Sequence, residues 1–242
     1  MKPWFTAGRD LLRAGLDLLY PPACPACGGD APDTLCAACL RRLPRLEPPF
    51  CMRCSQPFAG ALDEPFACAN CGTRDLHFEC AVSRYRAAGP VRDMIHRFKY
   101  NDARHLRRPL AGLLGEALDD PRLASRPFDA MVPVPLHPGR LRRRGYNQAA
   151  LLAETLAETT RHPVLPALRR IRATRTQTHL DRTTRMENLR GAFVPDQNVP
   201  VIGLHLVVVD DVFTTGATTD ACSRVLLDAG AASVRVVTAA RG

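Results

Sequence analysis

Apolar and polar positions change period along the chain. In residues 1–22 apolar side chains recur at Phe5, Leu11, Leu12, Leu16 and Leu19, interrupted by Arg9, Asp10, Arg13 and Asp17. That spacing predicts a short amphipathic helix packed on the rest of the protein, in preference to a membrane-surface helix. From Cys80 onward, buried strands alternate with amphipathic helices. Residues 80–89 read as a strand, 90–102 and 106–120 as helices, and 128–136 as a buried strand stopped by prolines. Residues 147–160 are a strongly patterned helix, 205–212 a second buried strand, 218–230 a helix ended by Gly230, and 232–240 a third strand. The alternation predicts an α/β fold with a parallel sheet flanked by helices. Ligands of such sheets bind beyond the carboxyl ends of the strands.

The stretch from 20 to 79 breaks this pattern. It is poor in apolar residues and holds eight of the ten cysteines as four C-x-x-C pairs: Cys24/Cys27, Cys36/Cys39, Cys51/Cys54 and Cys68/Cys71. Two residues between thiols let both sulfurs face one tetrahedral ion, and two pairs complete a tetrathiolate zinc site. Four pairs therefore predict two structural Zn2+ ions with no ligand position left open. Sequential pairing, Cys24/Cys27 with Cys36/Cys39 and Cys51/Cys54 with Cys68/Cys71, is favoured over an interleaved one. Gly28 and Gly72 directly follow their pairs, where a positive φ often closes the turn. The metal would supply most of the folding free energy of this module. Cys80 and Cys222 stand alone and are expected to be small buried apolar residues.

Bulk composition excludes several classes. Hydrophobic content of 46% and charged content of 24% describe a globular chain, not a disordered one. No apolar run approaches about 18 residues, so membrane insertion is not expected. No secretory core is visible, which points to the cytosol and against a disulfide framework. The formal charge is +9, and only Lys2 and Lys99 are lysines. Between Arg140 and Arg190, twelve arginines face Glu154, Glu158, Asp181 and Glu187, a net of +8. A positive field so focused attracts phosphates, whether on a small ligand or on a nucleic acid.

The second strand carries the most specific chemistry. Leu206 to Val209 run into Asp210 and Asp211, then into Thr214, Thr215, Gly216, Ala217 and Thr218, with a helix starting near Thr218. Hydroxyls and small residues before a helix N-terminus form an anion site, because free N–H groups and the helix dipole favour a phosphate. No lysine follows the glycine, which argues against a P-loop. The carboxylates can accept hydrogen bonds from a neighbouring diol. A phosphate and a diol held by one strand–loop–helix describe a ribose 5-phosphate.

These residues resemble a known motif. "VVVDDVFTTGAT" is similar to the 5-phosphoribosyl-1-pyrophosphate (PRPP) motif of type I phosphoribosyltransferases, and nearly the whole chain from Cys24 resembles the ComF family, the competence protein F group. "FKYND", "PVPLHPGRLRRRGYNQ" and "RATRTQTHLDRTTRMENLRGAF" occur in the family's order. The resemblance implies an N-terminal helix and double zinc ribbon in residues 1–79, then a parallel-sheet type I phosphoribosyltransferase-like domain in residues 80–242. It implies that Asp210 and Asp211 hold the ribose hydroxyls, and that Thr214, Thr215, Gly216, Ala217 and Thr218 hold the 5-phosphate. A pyrophosphate loop would fall on Val134, Pro135, Leu136 and His137, followed by Arg140 and Arg144, with Mg2+ bridging pyrophosphate and ribose. Arg169 to Arg185, basic and poor in apolar residues, is expected to cover the site. Tyr146, Asn147 and Gln148 either contact the ligand or cap the next helix, and Lys99 and Tyr100 are as well suited to the surface as to the site.

The resemblance implies a PRPP-binding protein acting in DNA uptake, with single-stranded DNA and a competence helicase as partners. Two alternatives stay open: an active phosphoribosyltransferase with an unidentified acceptor, or a PRPP sensor without chemistry. No aromatic platform for an acceptor base is evident in the sequence.

Overall fold

The computed structural model describes residues 23–31, 34–62, 64–173, 189 and 191–242. The expected helix within 1–22 lies outside them. The chain forms two compact units, Met1–Leu43 and Pro44–Gly242.

In the first unit, Cys24 opens a tight turn in which Gly28 N–H donates to the Cys24 carbonyl and Cys24 N–H to that of Gly29. Gly28 has φ +77°, the left-handed region expected after this pair. Helix α1, Ala37–Arg41, is capped by the Cys36 side chain, which accepts from Cys39 N–H.

In the second unit the Cys68/Cys71 pair lies on a one-turn helix, α2, Ala69–Gly72. Gly72 is therefore helical and has no positive φ, contrary to expectation. A positive φ follows the other pair instead, at Ser55, φ 55°, directly after Cys54.

The central sheet has four parallel strands in the order β1 (Ala81–Val82), β6 (Ser233–Arg241), β5 (His205–Phe213) and β2 (Ala130–Pro133). Of these, β1 is much shorter than its alternating pattern predicts. Beyond Val82 the backbone divides its hydrogen bonds: Leu46 N–H donates to the Arg84 carbonyl and Arg86 N–H to that of Pro44. All nine residues of β6 and the run Leu206–Val209 of β5 are buried, as a sheet covered on both faces requires.

Helix α3, Gly89–Tyr100, buries Val91, Met94, Ile95 and Phe98, an i, i+3, i+4, i+7 stripe. A 3₁₀ turn, Arg104–Leu106, leads into α4, Arg107–Leu118, and the short α5, Pro121–Ala124, follows. Pro138–Arg144 forms α6, a helix that the sequence reading did not foresee. Pro138 occupies its first turn, the His137 ring accepts from Gly139 N–H at 3.2 Å, and Gly145 ends it at φ 81°. Helix α7, Gln148–Thr160, is capped by Asn147, whose Oδ1 accepts from Ala149 N–H and whose Nδ2 donates to the Val134 carbonyl at 3.0 Å. Helix α8, Ala217–Asp228, starts at Gly216. An antiparallel pair, β3 (Leu168–Arg170) with β4 (Phe193–Pro195), was not foreseen.

Helices α4 and α7 pack on one face of the sheet, and α8 with the β3–β4 pair on the other. Cys51, Cys54 and Cys71 share an apolar cluster with Val132, Leu206, Val208 and Val236, so the second cysteine group is built into the core of the sheet's own unit. Arg122 fixes it there. Its guanidinium pairs with Asp120 and donates from Nη1 to the Cys51 and Met52 carbonyls and to Ser55 Oγ at 3.2 Å. Arg241, near the end of β6, donates to the Cys54 and Phe213 carbonyls.

Candidate functional site

Two cysteine groups are assembled among the described residues. Cys24, Cys27, Cys36 and Cys39 form one and Cys51, Cys54, Cys68 and Cys71 the other, the Sγ atoms of each lying within 4.8 Å of one another. Pairing is sequential. Backbone amides aim at the sulfurs: Cys68 N–H reaches Cys51 Sγ at 3.2 Å and Cys36 N–H reaches Cys24 Sγ at 3.4 Å. The Cys51 thiol is drawn down to about 4, first by its hydrogen bond with Cys54, while Cys39 is pushed up to about 12 by Cys27 and Cys36. Cys24 is likewise drawn down, to about 6, whereas Cys54 and Cys71 are pushed up, Cys54 first by its hydrogen bond with Cys51 and Cys71 first by burial. Four adjacent thiolates need a cation. The all-sulfur donor set, with its amide hydrogen bonds, fits two structural zinc sites. Cys80 and Cys222 are both buried, and burial pushes the Cys80 thiol up to about 11.

A second site lies at the carboxyl edge of the sheet. The pairing of β2 with β5 ends at Pro133 opposite Val209, whereas β6 follows β5 to Phe213. Asp210 and Asp211 thus lie within a strand but past the end of its β2 neighbour, at the step where the sheet opens. Side chains alternate along a strand, so the two carboxylates point to opposite faces. Leu206 and Val208 pack with Cys222 and Leu226 of α8, and Asp210 continues that face. Its charge acts on Cys222 and on Arg170. Asp211 turns the other way and forms an ion pair with Lys99 of α3. Burial, then the charge of Asp211, pushes the Asp210 carboxyl up to about 8, against the pull of Lys99.

A cavity of about 530 Å3 opens at this step. From the β5–α8 turn it is lined by Asp210, Asp211, Thr214 and Thr218; from the β2–α6 turn by Val134, Pro135, Leu136, Arg140 and Arg144. Helix α6 explains the last two: four residues apart, they share one helix face, while Arg142 and Arg143 do not line the cavity and are exposed. Thr215, Gly216 and Ala217 line a small adjoining hollow of about 40 Å3 that also touches Asp210, Thr214 and Thr218. His137 does not line the cavity; it caps α6.

Lys99, Tyr100, Asn147, Gln148 and Arg170 line it as well. Sequence reading left the first four undecided and assigned Arg170 only to the expected cover. Of that cover, residues 174–185 lie outside the described residues, while Leu168–Arg170 is strand β3. The signal available for Lys99 was compositional: apart from Lys2 it is the one lysine in a chain that uses arginine everywhere else.

The loop geometry depends on two contacts that the sequence does not signal. Gly216 has φ +77°, and a Cβ there would lie 2.5 Å from the Phe213 ring. Arg74, just past the second cysteine group, donates from Nη1 to the Thr215 carbonyl at 3.1 Å and sits 3.9 Å from the Asp220 carboxylate. Asp220 in turn accepts from His77 N–H at 2.8 Å. The cysteine ribbon therefore holds the threonine loop and the first turns of α8 in place.

Residues 15–72 match the double zinc ribbon domain family. DNA utilization protein YhgH of Salmonella typhi is 36% identical over 205 residues, covering 84% of this chain and 88% of that protein. Competence protein F of Haemophilus influenzae is 31% identical over 222 residues, covering 88% and 94%. Competence protein ComFC of Bacillus subtilis is 37% identical over 112 residues, covering 46% and 44%. A solved structure of the allosteric regulatory enzyme of purine biosynthesis aligns with a TM-score of 0.35 at 24% identity, over 55% of this chain and 26% of that one, a likeness too slight to argue from. No described helix is long and apolar enough to cross a membrane.

Proposed function

Because the chain belongs to the family of competence protein F and DNA utilization protein YhgH, we propose that it is a PRPP-binding protein serving DNA uptake or use. The observation that carries the PRPP half is convergence. Two carboxylates, a threonine–glycine loop at a helix N-terminus and two arginines of α6 meet at one cavity and the small hollow that adjoins it. The loop N–H groups and Thr214, Thr215 and Thr218 would take the 5-phosphate. Asp210 and Asp211 would accept from the ribose hydroxyls. Arg140 and Arg144 would clamp the pyrophosphate, with Lys99 adding a third cation. Mg2+ would accompany the pyrophosphate and neutralise part of its charge.

Calorimetric titration with PRPP and Mg2+ tests this directly. Saturable binding is expected in the wild type and none in Asp210→Asn with Asp211→Asn, the domain remaining folded. An absence of wild-type binding would refute it. The DNA half rests on the names of the relatives. A deletion strain complemented with the wild type and with the double variant tests it: transformation should recover with the first and not with the second.

A further inference from the structure

Tyr100 ends helix α3 on the side away from the buried stripe of Val91, Met94, Ile95 and Phe98, so no core packing accounts for an aromatic ring there. It is 58% exposed, yet it lines the cavity. The Arg144 guanidinium lies 5.2 Å from its ring centroid, and the His96 ring is 4.9 Å away, tilted by 49°. The platform that the sequence failed to reveal is thus present at the cavity mouth.

Its surroundings are cationic. Arg92, Arg140 and Arg144 line the same cavity, and exposed Arg142 and Arg143 continue the positive surface along α6. Leu141, on the same helix, is 41% exposed. The Arg140 guanidinium holds its proton less tightly than usual, first through burial and then through the charges of Arg144 and Arg143. A phosphate relieves that repulsion. An exposed aromatic face beside several arginines has the composition of a single-strand platform, where stacking accepts any base and cations follow the backbone.

We infer that the cavity mouth is a single-stranded DNA site, with one base stacked on Tyr100 and the adjoining phosphates on Arg144 and the outer arginines of α6. The strand then runs past the opening of the PRPP cavity, and the two anions share Arg144. This rests on the proposal that the protein handles DNA, but it does not require PRPP to bind.

The test is fluorescence anisotropy with a labelled oligothymidylate and with an abasic strand of the same length. Tyr100→Ala should weaken oligothymidylate binding by about 5- to 150-fold, the range that loss of one stacked base produces, while Tyr100→Phe stays within about twofold. The slope of affinity against salt should be unchanged in both, because no cation is removed. The abasic strand should bind wild type and Tyr100→Ala equally. Tyr100 is exposed, and an unchanged melting temperature will confirm that the fold survives. Equal affinity of Tyr100→Ala and wild type for oligothymidylate would overturn the stacking site while leaving DNA binding intact. No wild-type binding to either strand would overturn both.

Discussion

Asp210 and Asp211 are adjacent in sequence and face opposite sides of strand β5. Asp211 pairs with Lys99 on α3, while Asp210 looks toward Cys222 on α8 and Arg170 on β3. The repulsion that two neighbouring carboxylates would suffer in a buried strand is reduced by the pleat. It is not removed, since Asp211 still helps push Asp210 up to about 8.

That residual repulsion has a sign. The folded-state pKa of Asp210 is raised above its unfolded value, so folding favours the protonated form. Stability should fall as pH rises from about 4 toward about 8, because the unfolded chain ionises first. Asp210→Asn removes the titration. Its melting temperature should exceed that of the wild type by more at pH 8 than at pH 5, read by thermal scans at the two values. PRPP binding should be lost in the same variant.

Gly216 joins the strand to α8 in a left-handed conformation against the Phe213 ring. Gly216→Ala adds about 1–2 kcal/mol of backbone strain and a clash that must move the ring. Urea unfolding should show a loss of about 2 kcal/mol or more, with PRPP affinity falling further because the amides of the loop are displaced.

Arg74 connects the cysteine ribbon to the threonine loop through the Thr215 carbonyl and Asp220. Arg74→Ala removes one charge-assisted hydrogen bond, worth about 1.5–3 kcal/mol. PRPP affinity should drop about tenfold by calorimetry, with zinc content unchanged, and Arg74→Lys should recover only part of it because a point charge cannot reach both partners.

The two zinc sites should differ in their effect on stability. Cys54→Ser strikes a group packed in the sheet's apolar cluster, and the main calorimetric transition should fall by about 10 °C or more. Cys27→Ser acts in the first compact unit, and the main transition should stay within a few degrees. Each variant should lose one of the two zinc ions by mass spectrometry.

By itself the sequence determined what is chemically local. A thiol pair two residues apart, a valine run ending in two acids, and a threonine loop before a helix each need only a handful of consecutive residues. Their geometry follows from turn and strand periodicity. The parallel α/β alternation was legible for the same reason. Helix α6 was missed because seven residues with four arginines show no apolar stripe, although its His137 cap and Gly145 stop were there to be read. The tertiary structure alone decided which distant residues meet. Lys99 reaches Asp211 across more than a hundred residues, Arg74 reaches Thr215, Tyr100 comes beside Arg144, and the two cysteine groups fall in different compact units. Such contacts leave no periodic trace, because they are fixed by how whole helices and strands pack into one core and not by the residues on either side.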